Sequence, residues 1–213
     1  MVDQAEGLLL AEGLCARLCH DLAGPVGALA TGAELLSEEA GGGGADDEAL
    51  QLLTSSAAVA AHRLRFFRLA FGGGGKAVEA RSLRELVSSY VACSVTAGQN
   101  LSLDWRDESQ EPWRDGRAQL LLNLILLARD CLPGGGQIRL SARPAAAILA
   151  EITVEGPTAK TGEAAGGLAD GPLDAMPPRA AQGVFTRWLA RRLGYGVTLA
   201  EAQNRVTLCC KAI

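Results

Sequence analysis

Two runs of four consecutive glycines, at 41–44 and 72–75, divide the first third of this 213-residue chain into two long segments. Glycine lacks a Cβ and loses the most freedom on folding, so such runs end helices and serve as flexible connections. Over residues 5–39 the apolar residues Leu14, Leu18, Leu22, Leu29, Ala33 and Leu36 recur at helical spacing. A second helix is expected up to residue 71, with Leu53, Ala57, Ala60, Leu64, Phe67 and Phe71 as its stripe. Asp46 is placed to cap it, and Asp47 and Glu48 suit its positive end. Residues 1–75 therefore read as a helical hairpin with one apolar stripe per helix. Two helices cannot enclose a core. A second copy would close a four-helix bundle about a two-fold axis, so a homodimer is expected. The alternative is that the hairpin packs on the rest of its own chain.

Beyond the second glycine run the pattern changes. Residues 82–97 read as a helix, 101–105 as a strand and 116–132 as a very apolar central helix. Strands are expected at 137–142 and 148–155, a helix at 179–193, and a strand pair at 197–201 and 205–211 around Gln203-Asn204. The fold class is α+β: the hairpin over 1–75, then an α/β sandwich over 76–213. The stretch 156–178 is rich in Gly, Ala and Pro and long for a connection, so it is expected to be functional or mobile.

Composition narrows the function classes. The net charge is −4, with 48% hydrophobic and 21% charged residues. This describes a globular chain and argues against nucleic-acid binding. The longest apolar run, around residues 120–128, is too short for a membrane span, and no basic flank precedes Leu8-Leu9-Leu10. A cytoplasmic location is therefore expected.

Within the first helix stands His20-Asp21-Leu22-Ala23-Gly24-Pro25. At about 100° per residue, His20 points away from the stripe that contains Leu18 and Leu22. Its helical neighbours Ala23, Gly24 and Gly27 are small, so another protein could approach the imidazole closely. Pro25 costs about 3 kcal/mol inside a helix and should leave the Asp21 carbonyl without its helical donor. Such strain is expected at working sites. The alternative is a solvated surface histidine beside a tolerated proline.

Six cysteines do not suggest a disulfide scaffold. Cys15 and Cys19 stand one turn apart before His20, but the spacing has no second ligand pair, so no metal site is expected. Cys209 and Cys210 are adjacent and in a strand would face opposite sides.

A hairpin carrying His20, Asp21, Leu22, Pro25 and Val26 in this order, ahead of these strands and helices, resembles the sensor histidine kinases. Residues 123–128, Asn-Leu-Ile-Leu-Leu-Ala, line up with an asparagine box of their ATP-binding domain, and PGGGQI at 133–138 is similar to the segment just beyond that box. Three departures stand out. Leu127 replaces the asparagine that holds magnesium, and an apolar side chain cannot ligate that cation. Glu155-Gly156-Pro157-Thr158 stands where an aspartate should read adenine. Gly183-Val184-Phe185 replaces a glycine box, with Phe185 adding bulk where bare backbone is wanted.

A kinase-like hairpin without a nucleotide site resembles the ChpT-type histidine phosphotransferases of bacterial phosphorelays. Residues 14–22, 32–36 and 63–72 carry the rest of that likeness. It implies a dimeric four-helix bundle joined to a degenerate kinase-type ATPase sandwich. It also implies His20 as phosphoacceptor, a CckA-like hybrid kinase receiver domain as donor, and CtrA-like and CpdR-like response regulators as acceptors. No cofactor is expected on this chain, since magnesium would sit on the receiver. An imidazole is largely neutral near pH 7 and can act as the nucleophile. Asp21 would polarise the transfer or simply be a solvated acid. Arg63, Arg65 and Arg68 would face the phosphoryl group or an acidic partner, or form a solvated face. Gly24 stands where bifunctional kinases carry a side chain that orients water, so little phosphatase activity is expected. The competing readings are an active histidine kinase and a non-catalytic adaptor that only docks receivers.

Overall fold

The computed structural model describes residues 4–38, 45–72, 75–95, 99–106 and 109–213. The hairpin consists of α1 (Gln4–Glu38) and α2 (Ala45–Phe71). The second begins one residue before the expected cap Asp46, and the glycines at 41–44 lie outside the described residues. After it come α3 (Ala80–Ala92), β1 (Leu101–Trp105), α4 (Arg117–Asp130), β2 (Gly136–Ala142) and β3 (Ile148–Glu155). The chain then runs through α5 (Glu163–Gly166) and α6 (Ala181–Arg192) to β4 (Tyr195–Ala202) and β5 (Arg205–Ala212). The helix expected to reach residue 97 stops at Ala92, where the Cys93 and Ser94 amides close the last turn onto Ser89 and Val91.

The five strands form one sheet in the order β1-β2-β3-β5-β4. Only β1 and β2 run parallel, and α4 supplies the crossover that parallel strands require. Register is set by alternation. Ile138 and Leu140 of β2, Ile152 and Val154 of β3, and Val206, Leu208 and Cys210 of β5 all turn inward. Cys209 is half-buried beside the buried Cys210, as alternation requires. The β4–β5 turn closes at Asn204, whose φ of 56° suits an asparagine side chain.

Helix α4 is the hub. Every residue from Ala118 to Ala128 is buried, packed against the sheet on one side and α2, α3 and α6 on the other. The expected second asparagine position, Leu127, is fully enclosed. Asn123 is enclosed too, and its amide ties three helices together. It donates to the carbonyls of Ala70 and Gln119, both at 2.8 Å, and accepts from the Gln182 amide at 2.7 Å. A buried amide is stable only when satisfied in this way.

The hairpin does not stand apart from the sandwich. Phe66, Phe67 and Ala70 of α2 belong to the same core as α4 and the sheet. At the other end of the contact, Leu10 of α1 packs with Leu173, Ala181 and Val184. A Cβ on Gly13 would meet the Ala181 Cβ at 2.5 Å, so the two helices touch there. The boundary expected at residue 75 therefore cuts through a shared core, because α4 and α6 present apolar surface that the hairpin covers. The same contact adds a second buried face to α2: Phe66 and Ala70 are buried, whereas the stripe residues Ala57 and Leu64 are exposed in the single chain. On α1, Ala33 is exposed as well. The stretch 156–178 is built in rather than loose. It contains α5 and a 3₁₀ turn at Leu173–Ala175, and it buries Ala164, Ala165 and Leu173.

The Asn123 tie makes a stability prediction. Asn123→Ala leaves the Ala70 carbonyl without its donor and the Gln182 amide with only the Thr186 hydroxyl, and should cost about 3 kcal/mol in urea denaturation. A loss below about 1 kcal/mol would show that the tie is replaceable.

Candidate functional site

Helix α1 runs through Pro25 without a break. Proline has no N–H to give to the carbonyl four residues back, which here belongs to Asp21. The guanidinium of Arg63, reaching across from α2, donates to that carbonyl instead. Its other terminal nitrogen donates to the Cys93 carbonyl at the end of α3, at 3.3 Å. The orphan left by Pro25 is thus filled by a charged side chain that also grips the sandwich.

His20 lies on the turn that Arg63 holds. Its side chain is 75% exposed. Nδ1 lies 3.2 Å from Oδ1 of Asp21, and no described atom is bonded to Nε2. The small neighbours behave as their size suggests. Ala23, Gly24 and Gly27 are all exposed, and a Cβ on either glycine would meet nothing within 4 Å.

The other oxygen of Asp21 faces Nε of Arg17, one turn back, at 3.6 Å. Arg17 is itself gripped from the sandwich. Its Nη1 and Nη2 donate to the two carboxylate oxygens of Asp130 at 2.6 and 3.1 Å. Two parallel bonds of this kind are the strongest form of a charged hydrogen bond. Burial alone would lower the Arg17 pKa. The bonded Asp130 carboxylate, together with Tyr90 and Asp21, outweighs burial and leaves it above the ordinary arginine value. Tyr90 lies beneath this cluster, stacked on Phe66 with ring centroids 3.9 Å apart. Burial, opposed in part by Arg17, pushes its phenol up to about 12.

Between α1 and the sandwich lies a cleft of about 740 Å³. Its walls include Arg17, His20, Asp21, Arg63 and Tyr90, with Lys160 from the segment after β3. That segment, expected to be functional or mobile, therefore borders the histidine.

The site residues expected from sequence separate into two groups. Arg65 and Arg68 are exposed on α2. Arg63 is not a free surface cation: its terminal nitrogens are engaged by backbone carbonyls, because the proline left one of them open. His62 is half-buried and lies outside the cleft. Cys15 and Cys19 are exposed, and among the described residues no three His, Cys, Asp or Glu side chains converge as metal ligands. No described helix is long and apolar enough to cross a membrane. Sequence reasoning missed Arg17 and Asp130. A signal was present for each. Arg17 is four residues from Asp21, and Asp130 is an acid at the negative end of an apolar helix, where it requires a cation.

Comparison with known proteins identifies the family of the chain. Residues 82–205 match a family model described as the histidine phosphotransferase C-terminal domain. The protein phosphotransferase ChpT of Brucella abortus (strain 2308) is 32% identical over 134 residues, covering 59% of this chain and 56% of that protein. The chain thus spans just over half the length of that curated relative. A solved bacterial phosphotransferase superimposes with a TM-score of 0.76 at 25% identity, covering 99% of this chain and 98% of that one. The Acinetobacter baumannii histidine kinase AdeS gives a TM-score of 0.46 at 16% identity, over 91% and 96% of the two chains.

The buried phenol and the buried thiol of Cys210, also pushed up to about 12, make a pH prediction. Both groups hold their protons more tightly folded than unfolded. Their contribution is complete below the ordinary thiol and phenol values and is lost as pH rises toward 12. Unfolding free energy should therefore fall between about pH 9 and 12. Tyr90→Phe should remove about 3 kcal/mol of that fall at most, read by urea denaturation across the range.

Proposed function

Because the chain belongs to the histidine phosphotransferase family, we propose that it relays phosphoryl groups between receiver domains of a two-component pathway through His20. The observation that carries this reading is the exposed imidazole, with Nδ1 3.2 Å from Asp21 and the small, exposed Ala23, Gly24 and Gly27 as its helical neighbours. The Nε2 lone pair attacks the phosphorus of a receiver's aspartyl phosphate. The bond from phosphorus to the carboxylate oxygen breaks, and that oxygen leaves with the electron pair. The reverse sequence onto a second receiver's aspartate empties His20. The proton on Nδ1 stays against Asp21, which offsets the positive charge that the ring gains. Magnesium belongs to the receiver, and this chain supplies orientation.

The absence of ATP-dependent self-phosphorylation is part of the same proposal, and packing at all three altered boxes supports it. Leu127 is fully enclosed and Asn123 has its amide committed to the core. Glu155 is paired with Arg139 and Arg205. Gly183 lies so close to α5 that a Cβ there would clash with the Ala164 carbonyl, and Phe185 packs on Phe71. Gly24 offers no side chain to orient water, which favours relay over receiver dephosphorylation.

The partners in this reading are those the resemblance implies: a CckA-like hybrid kinase receiver as donor and CtrA-like and CpdR-like regulators as acceptors. Arg65 and Arg68 are the exposed cations of α2 offered to an acidic receiver face. Homodimerisation is supported by apolar residues left uncovered on the hairpin. Leu50, Ala57 and Leu64 are exposed at seven-residue intervals along α2, and Val26 and Ala33 repeat this on α1.

Two experiments test the proposal. Mixed with a phosphorylated receiver, the protein should take label on His20, and His20→Ala should abolish relay to the second receiver while leaving binding intact. Normal relay by that variant would overturn the covalent mechanism, and self-labelling with ATP and magnesium would favour a kinase. Separately, Leu64→Asp should convert a dimer to a monomer in light scattering at micromolar concentration. A monomeric unmodified protein would overturn the dimer.

A further inference from the structure

His20 belongs to the hairpin, yet the groups that constrain it lead into the sandwich. Asp130 holds Arg17 through two hydrogen bonds, Arg17 faces one oxygen of Asp21, and the other oxygen of Asp21 meets Nδ1 of His20. The Arg17 side chain is only 15% exposed, whereas His20 is open to solvent. The cluster is therefore anchored at its inner end and free at its outer end. A carboxylate beside a solvent-exposed imidazole would otherwise choose among rotamers, and the ring would sample both neutral tautomers. One carboxylate oxygen lies 3.6 Å from Nε of Arg17, an ion-pair contact longer than a hydrogen bond, and this attraction favours the rotamer whose other oxygen is directed at Nδ1. The Arg63 bond to the Asp21 carbonyl holds the backbone of the same residue.

We propose that Arg17 is a positioning residue for phosphoryl transfer: clamped by Asp130 of the sandwich, it keeps the Asp21 carboxylate on Nδ1 of His20, so that the proton rests there and the Nε2 lone pair faces the incoming phosphorus. The domain that resembles a kinase ATPase thus acts on the histidine through a carboxylate at the end of α4. This inference rests on the relay reading of His20, but its first readout does not depend on it.

The fork of Arg17 suits this task because it bonds both oxygens of Asp130 while its third nitrogen faces Asp21. A lysine offers a single ammonium and cannot reproduce both contacts. Asp130 has a second reason to seek this partner, since it ends α4, where the helix dipole disfavours an acid. The arrangement also accounts for a cation buried next to a phosphoacceptor without touching it.

Nitrogen-15 NMR of labelled histidine in the full-length protein reads the tautomer directly. The Nδ1–H form of His20 should predominate, and Asp130→Asn or Arg17→Met should shift the ring toward Nε2–H. Transfer from an acetyl-phosphate-charged CckA-like receiver should slow about tenfold in both variants, comparable to the loss when a carboxylate that orients a metal-ligating histidine is removed. Asp21→Asn should have the same effects, and adding Asp130→Asn to it should change neither readout further.

Loss of the ion pair could instead slow transfer by loosening the hairpin from the sandwich. Arg17→Met/Asp130→Leu separates the two explanations, because an apolar pair can replace a buried ion pair without loss of stability. This variant should melt as the unmodified protein does yet keep the altered tautomer and slow transfer. Recovery of both to the unmodified values would overturn the positioning role, as would an unchanged tautomer in Asp130→Asn. If the unmodified protein takes no label at His20, the relay reading fails, and the tautomer measurements still decide whether Asp130 governs the imidazole.

Discussion

A single backbone carbonyl organises this molecule. Pro25 cannot bond to the oxygen of Asp21, and a helix interior does not tolerate a lost bond of this kind cheaply. Arg63 closes the gap from α2 and continues to the end of α3. The same defect in α1 that lies beside the His20 turn is thus a point where hairpin and sandwich are joined. The ion pair from Arg17 to Asp130 adds a second tie four residues earlier. Between these two ties sits His20.

The interior of the sandwich is organised around contacts with the hairpin. Asn123 bridges α2, α4 and α6 rather than facing a ligand. Phe185 meets Phe71 from the end of α2, and Ala181 meets Gly13 of α1. Each of these contacts crosses between hairpin and sandwich. A domain that delivers nucleotide to a histidine must move relative to it. A domain that holds the histidine in place gains from close packing, which is stiff and transmits position. Hairpin and sandwich are packed closely in this way along α1 from Leu10 to Arg17.

Much of this was legible in the sequence because it depends on local rules. The two long helices are bounded by glycine runs, β1 and β3 have the expected limits, and the inward alternation of β5 comes from period two. His20 lies on an exposed face because it is two residues from Leu18 and Leu22, and the Asp21 carbonyl needs a partner because Pro25 has no N–H. The parts that were misread concern faces rather than elements. Phe66 and Ala70, outside the expected stripe of α2, are enclosed against the sandwich. Periodicity says that a helix has an apolar face but not how many partners share it, and α2 has two.

Sequence alone determined the elements, the exposed position of His20 and the open carbonyl behind it, since each depends on residues within one or two helical turns. Only the tertiary structure decided which side chain answers that carbonyl and which one holds the acid beside the histidine. Arg63 is separated from Asp21 by 42 residues and Asp130 from Arg17 by 113, so no spacing rule links them. Their pairing exists because α4, buried on all sides, brings its last residue to the same place where α1 loses its backbone bond.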